Sequence, residues 1–324
     1  MQPRVKLKFP NFENMRILNE LKGETLTYHL KDEDCYAWYD RFVELIERSM
    51  AEKSFLPIYR MGDGEYEFLL KCKKAYETEH SEGIFASLLR TFLRIFAKNH
   101  ASGSKEDGQE EYKYAELPVL YQRYISDLKL ISSKGIITLA LDDGRLFKKY
   151  VDKVLAVFEE CNIDINLHNY FNGYFVYALF CSKLGYKFFT NRRILVISSF
   201  GKEDCTLIES FLLVKGAIDV DFKDIPKHGS MYADVKAMDD EFDLILIAAG
   251  IGSSRIISQL QHLSCPCIDV GTVLNCYANP NRFFERPYMA EDYIHDIEKM
   301  VFISEELKNK YLEYVKSDKL NSSI

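Results

Sequence analysis

Four stretches of this chain are apolar almost without a break: residues 135–141, 193–199, 242–250 and 265–271. A strand with one wet face alternates apolar and polar residues, whereas a strand covered on both faces reads as a continuous apolar run. Segments with helical spacing separate these runs. Leu146, Tyr150, Val154, Leu155 and Phe158 follow the first. Leu207, Phe211 and Leu212 follow the second, and Ile256, Ile257 and Leu260 the third. Buried strands alternating with helices specify an α/β fold: a Rossmann-like, doubly wound, mainly parallel sheet with helices on both faces.

The other elements are read on the same basis. Residues 56–60 supply a first strand, and 217–222 another. Residues 163–167 read as a short strand and 170–184 as an aromatic-rich helix. A helix is expected from Ile84 through Phe96, and 101–113 reads as a mobile polar loop, a candidate lid. A chain of 324 residues holds one large domain or two ordinary ones. Residues 56–288 are taken as the Rossmann-like domain, 1–55 as an N-terminal helical extension and 289–324 as a C-terminal helical tail.

In open sheets of this kind ligands bind beyond the carboxyl ends of the strands. Asp63, Glu65, Asp142, Asp143, Gly201, Gly250, Gly252 and Asp269 all fall at such ends. The densest group is Arg60-Met61-Gly62-Asp63-Gly64-Glu65, where an apolar strand passes through a glycine turn into a helix. Asp63 and Glu65, two apart in an extended turn, can aim both carboxylates at one point, and hard divalent cations take such oxygen ligands. Arg60 offers a fork that suits phosphate. The same residues also serve as an ordinary helix start, with acids at the positive end of the macrodipole. Gly250-Ile251-Gly252-Ser253 puts backbone N–H groups at a second helix start, where a diphosphate could sit. Gly201 and Lys202 stand at a third, and Lys227 and His228 follow Pro226 as further phosphate candidates.

Composition removes several function classes. A formal net charge of −7 argues against a general nucleic-acid binder, which needs a basic face. The eight cysteines contain no Cys-x-x-Cys pair, so neither a zinc site nor a disulfide framework is expected. The N-terminus has no apolar signal core and no run is long enough to span a membrane. A reduced, cytoplasmic protein without a transmembrane segment is the expectation, and a homo-oligomer is compatible with it.

The motif at 60–65, together with residues 244–250 and Cys267-Ile268-Asp269-Val270-Gly271, resembles the GT-D glycosyltransferases. That family carries an Arg-x-Gly-Asp-Gly-Glu signature with an Asp-x-Glu metal motif, a Rossmann-like fold and a nucleotide-sugar donor. The resemblance spans roughly 58–275. It implies that Asp63 and Glu65 are the metal motif, binding Mn2+ or Mg2+. It implies Arg60 at the donor, a UDP-sugar foremost, with a glycan or glycoprotein acceptor; Gly62 and Gly64 of the motif and the strand-end residues Gly201, Gly250, Gly252 and Ser253 complete the expected donor-binding set. Asp142, Asp143 and Asp269 are the nearest candidates for a base, with a turn-capping role preferred for Asp269. The family's late motif ends in His, where this chain has Thr272, and the residues after it also depart, so acceptor and sugar choice are open. Two other readings stay open: another polysaccharide-modifying transferase (pyruvyl or phosphoryl), or a nucleotide-binding module without catalysis.

Overall fold

The computed structural model describes residues 16–17, 26–27, 32–81, 112–139, 149–150, 152–165, 169–181, 188–236 and 242–278. The expected helix at 84–96, most of the loop at 101–113, the acids Asp142 and Asp143, and the tail from 289 lie outside them. Two short strands, β1 (Arg16–Ile17) and β2 (Leu26–Thr27), pair antiparallel ahead of helix α1 (Asp32–Glu52).

Seven strands form one sheet: β3 (Leu56–Arg60), β4 (Ile136–Leu139), β5 (Tyr170–Asn172), β6 (Arg193–Ser198), β7 (Asp219–Asp224), β8 (Leu244–Ala248) and β9 (Pro266–Asp269). Their spatial order is β5-β4-β3-β9-β8-β6-β7, and every pairing is parallel. The helices are α2 (Asp63–His80), α3 (Leu117–Lys134), α4 (Asp152–Glu160), α5 (Tyr174–Cys181), α6 (Lys202–Val214), α7 (Ser253–Gln259) and α8 (Asn275–Ala278). Strand β8 is interior, flanked by β9 and β6. Its residues 244–247 are fully buried, as its unbroken apolar run requires.

The winding follows from handedness. A parallel crossover is right-handed, so steps toward one edge put their helices on one face and steps toward the other edge on the opposite face. The steps β3 to β4, β4 to β5 and β8 to β9 run the same way. Their helices pack together, α2 on α3 and α4, and α3 on α7. The step β6 to β7 runs the other way, and its helix α6 packs with α8. Helix α1 packs on β9 and α5, with Phe42 against Phe171 and Phe175 at ring-centroid distances of 5.3 and 5.8 Å. Both faces of the sheet are covered.

Two expectations shift. The strand read at 163–167 lies instead at Tyr170–Asn172, and the aromatic helix begins only at Tyr174. Four aromatic residues, Tyr170, Phe171, Tyr174 and Phe175, surround Gly173 and carry no period that separates strand from helix, and pairing with β4 decides the matter. The strand read from 217 starts at Asp219, on the edge of the sheet. Tyr112, at the end of the polar loop, is buried, and its hydroxyl accepts from the Met231 N–H at 3.2 Å. Among the described residues no helix is long and apolar enough to cross a membrane.

Candidate functional site

The end of β3 is held between two neighbours. On one side the Met61 N–H donates to the Thr138 carbonyl at the end of β4 (3.0 Å). On the other, the Arg60 N–H donates to Asp269 Oδ2 at the end of β9 (3.3 Å). The chain then turns at Gly62, the N-cap of α2, so Asp63, Gly64 and Glu65 are the first three residues of that helix. Glu65 bends back and accepts from the Gly62 N–H at 2.9 Å, the glutamate half of a capping box whose other half glycine has no side chain to make. The motif is therefore helical rather than an extended turn. Residues two apart on a helix do not share a face: Asp63 is exposed and Glu65 is partly buried.

Asp269 is buried and fully engaged. Its Oδ1 accepts from Ser253 Oγ (3.1 Å) and from the Gly271 N–H (3.0 Å), while Oδ2 takes the Arg60 N–H. One carboxylate thus ties together the ends of β3 and β9 and the start of α7. Gly271 has φ +53°, and a Cβ there would lie 2.5 Å from Arg60 Nη2, 2.6 Å from Nε and 2.9 Å from Cζ. The Arg60 guanidinium rests directly on the glycine. A Cβ at Gly62 would lie 3.7 Å from both Nη atoms and 3.1 Å from Glu65 Oε2, which places the guanidinium beside that carboxylate.

The electrostatics follow from this packing. Burial pushes Asp269 up to about 7; Arg60 pulls it back down and Glu65 adds to the rise. Burial likewise raises Glu65, with Arg60 opposing and Asp63 adding a small repulsion. Below the cluster, the hydroxyls of Tyr59 and Tyr124 meet at 2.6 Å. Both are raised first by burial, and the charges of Glu65 and Asp269 add to this.

A family model for the GT-D fold-like domain matches residues 39–277. The chain belongs to the GT-D fold-like family. It has a glycosyltransferase-type fold. No curated protein and no solved structure matches it.

Within this GT-D fold the motif at β3 suits a divalent cation of one kind. Among the described residues no group of three or more His, Cys, Asp or Glu side chains is placed to hold a metal. Asp63 and Glu65 stand on different sides of the helix start, so an ion there takes one of these carboxylates, or two at most. Magnesium is commonly held that way, by one or two carboxylates with phosphate oxygens and water completing the shell. The donor set therefore fits an ion shared with a phosphate ligand.

The remaining expected residues fall in two places. Gly201 and Gly250 are exposed at the ends of β6 and β8. These adjacent strands send their onward connections to opposite sides, which makes the gap between them the topological switch point of the GT-D sheet. Gly250 takes φ +53°, and among the described residues a Cβ there would meet nothing within 4 Å. Gly252 and Ser253 do not line that opening. A Cβ on Gly252 would lie 2.0 Å from Ser230 Oγ and 2.7 Å from the Ser230 carbonyl carbon, so this glycine serves close packing. Ser253 is fully buried, and its hydroxyl serves Asp269. Lys202, Lys227 and His228 are exposed, and Thr272 is partly buried in the turn after β9. Sequence reasoning gave Tyr59 and Tyr124 no role and quoted Gly271 only as the end of the late motif; for Tyr59 the signal was strand alternation, which sets it opposite Arg60.

Proposed function

We propose that this chain is a metal-dependent glycosyltransferase. It moves a sugar from a nucleotide-diphosphate donor, a UDP-sugar foremost, onto a glycan or glycoprotein acceptor of surface polysaccharide or protein glycosylation. The observation that carries this reading is the Arg60 guanidinium, held on Gly271 beside Glu65 and at the start of α2. There a fixed positive group, a helix N-terminus and an exposed carboxylate, Asp63, meet at the carboxyl end of an interior strand.

In this reading Arg60 takes charge from the donor's diphosphate, as preorganised cations do for developing anions. The positive end of the α2 dipole adds to this. Asp63 and Glu65 would hold Mn2+ or Mg2+. When bound, the ion draws charge off the leaving diphosphate. Asp269 has all its acceptor capacity turned inward, so Asp142 and Asp143 are the better candidates to take the acceptor hydroxyl's proton. Gly201 and Gly250 leave room for the donor's nucleoside at the switch point.

The test is a donor panel. Purified protein is incubated with UDP-, GDP-, TDP- and ADP-sugars, with and without manganese, and released nucleotide is measured. Melting is followed alongside with the free diphosphates. Metal-dependent release from one donor, with a raised melting temperature in the matching diphosphate, is the expected result. Unchanged melting with all four diphosphates in the presence of metal ends the donor-site reading. Tight diphosphate binding without release points to a binding module instead.

A further inference from the structure

Residues of three separate segments build a seat for one side chain. Asp269 accepts the Arg60 N–H on one oxygen and the Gly271 N–H and Ser253 hydroxyl on the other. These bonds set where β3 ends relative to the turn at Gly271. The guanidinium then lies against that turn so closely that even a methyl group does not fit, with three of its atoms within 2.9 Å of where a Cβ would stand. Gly173, at the start of α5, closes the other flank: a Cβ there would sit 3.6 Å from Arg60 Cγ.

We propose that Asp269, Ser253 and Gly271 are positioning residues whose task is to fix the Arg60 guanidinium for a diphosphate ligand; this rests on the donor reading above. An arginine side chain on an open surface samples many rotamers, and each must be lost on binding. A guanidinium held in a cradle before the ligand arrives has already lost them, so its contacts go directly into affinity. None of the three residues reaches the ligand. They act through Arg60.

Two glycines with the same backbone angle separate this idea from general stability. Gly271 and Gly250 both have φ +53°. Alanine at either meets the same left-handed strain, but only at 271 does the new methyl strike the guanidinium. An arginine tip moves more cheaply than backbone, so Gly271→Ala should displace Arg60 and leave the fold. Asp269→Asn is the second variant, because it keeps the shape but loses acceptor capacity.

The experiment follows the Arg60 Nε–H signal by NMR, assigned by its absence in Arg60→Lys. It also measures affinity for pyrophosphate and UDP in a chelator, so that no metal contributes. A distinct Arg60 signal is expected in the wild type and in Gly250→Ala. In Gly271→Ala and Asp269→Asn it should broaden or move, and diphosphate affinity should fall about tenfold or more, with melting of Gly271→Ala no lower than that of Gly250→Ala. If both variants keep the wild-type signal and affinity, the seat is overturned while the donor reading stands. If the wild type binds no diphosphate even with metal restored, the donor reading fails and the seat's purpose with it.

Discussion

The carboxyl ends of β3 and β9 and those of β6 and β8 lie along the same edge of the sheet, three strand spacings or roughly 14 Å apart at most, yet they are made of different material. The β3/β9 end is charged and closed: Arg60, Glu65 and Asp269 are packed on one another, with glycines where side chains would intrude. The β6/β8 end is open: Gly201 and Gly250 are exposed, Lys202, Glu203 and Asp204 begin the helix that follows, and among the described residues nothing stands within 4 Å of a Cβ at 250. A preorganised ionic group is costly to build and is worth building only where charge must be met in a fixed place. Open backbone adapts to shape instead. On the donor reading proposed above, the first end recognises charge and the second bulk.

The comparison is tested hardest through the buried acid. Asp269 is raised from its ordinary 3.8 to about 7, so in the folded protein it keeps a proton that the unfolded chain has already lost. Between about pH 4 and 7 the folded state binds more protons, and stability falls as pH rises through that window. A rise of that size corresponds to up to about 4 kcal/mol. Glu65 is shifted in the same direction. Urea unfolding at pH 4.5 and 7.5 should show this loss in the wild type and much less of it in Asp269→Asn. Equal slopes in the two proteins would mean that the β3/β9 end is not a strained charge cluster.

The next effect is catalytic. Asp63→Asn and Glu65→Gln should each slow donor turnover on the order of a hundredfold or more, about 2.7 kcal/mol upward. If the acids only favour the helix end, the cost is a stability loss of about 0.3–1 kcal/mol with nearly normal turnover. Turnover against manganese concentration for the three proteins decides between these. A chelator without effect on the wild type would remove the metal role.

The two ends also differ in how far they could be read from the residues. The strands at 136–139, 193–198 and 244–248 are legible because burial on both faces demands an apolar run. β5 is not, since three residues are too few to show a period and its identity comes from pairing with β4. At the β3/β9 end, Arg60, Gly62 and Glu65 are contiguous, so their association is local and visible. Asp269 is 209 residues away from Arg60, and only the parallel register of β3 with β9 brings it there. At the other end Ser253 reads as an exposed phosphate donor because it follows Gly-Ile-Gly. The turn at 250–252 rotates it inward, and no local pattern records that rotation.

Gly252 gives a smaller, purely steric test. Alanine there would drive its methyl into Ser230, backbone included. Overpacking of this sort costs about 1–3 kcal/mol. Gly250→Ala meets open space and carries only its backbone strain, so it should melt at a higher temperature than Gly252→Ala. The reverse order would place the open wall at 252 and not at 250.

The smallest expected effect is at Lys202, and it bears on whether the open end meets charge at all. Lys202 is the exposed first residue of α6, directly after its N-cap Gly201. A cation there opposes the positive end of the helix dipole, although Glu203 and Asp204 in the same turn offset it. Lys202→Gln should therefore stabilise the protein slightly, by about 0.3–1 kcal/mol at low salt and less at 0.5 M, where exposed charges are screened. Its effect on ligand binding separates the two ends. If the β6/β8 end meets only the nucleoside, affinity for a nucleoside diphosphate stays within about twofold of the wild type, while Arg60→Lys loses far more. A loss at Lys202 comparable to that at Arg60 would place the diphosphate at the start of α6, and the division of labour between the two ends would be reversed.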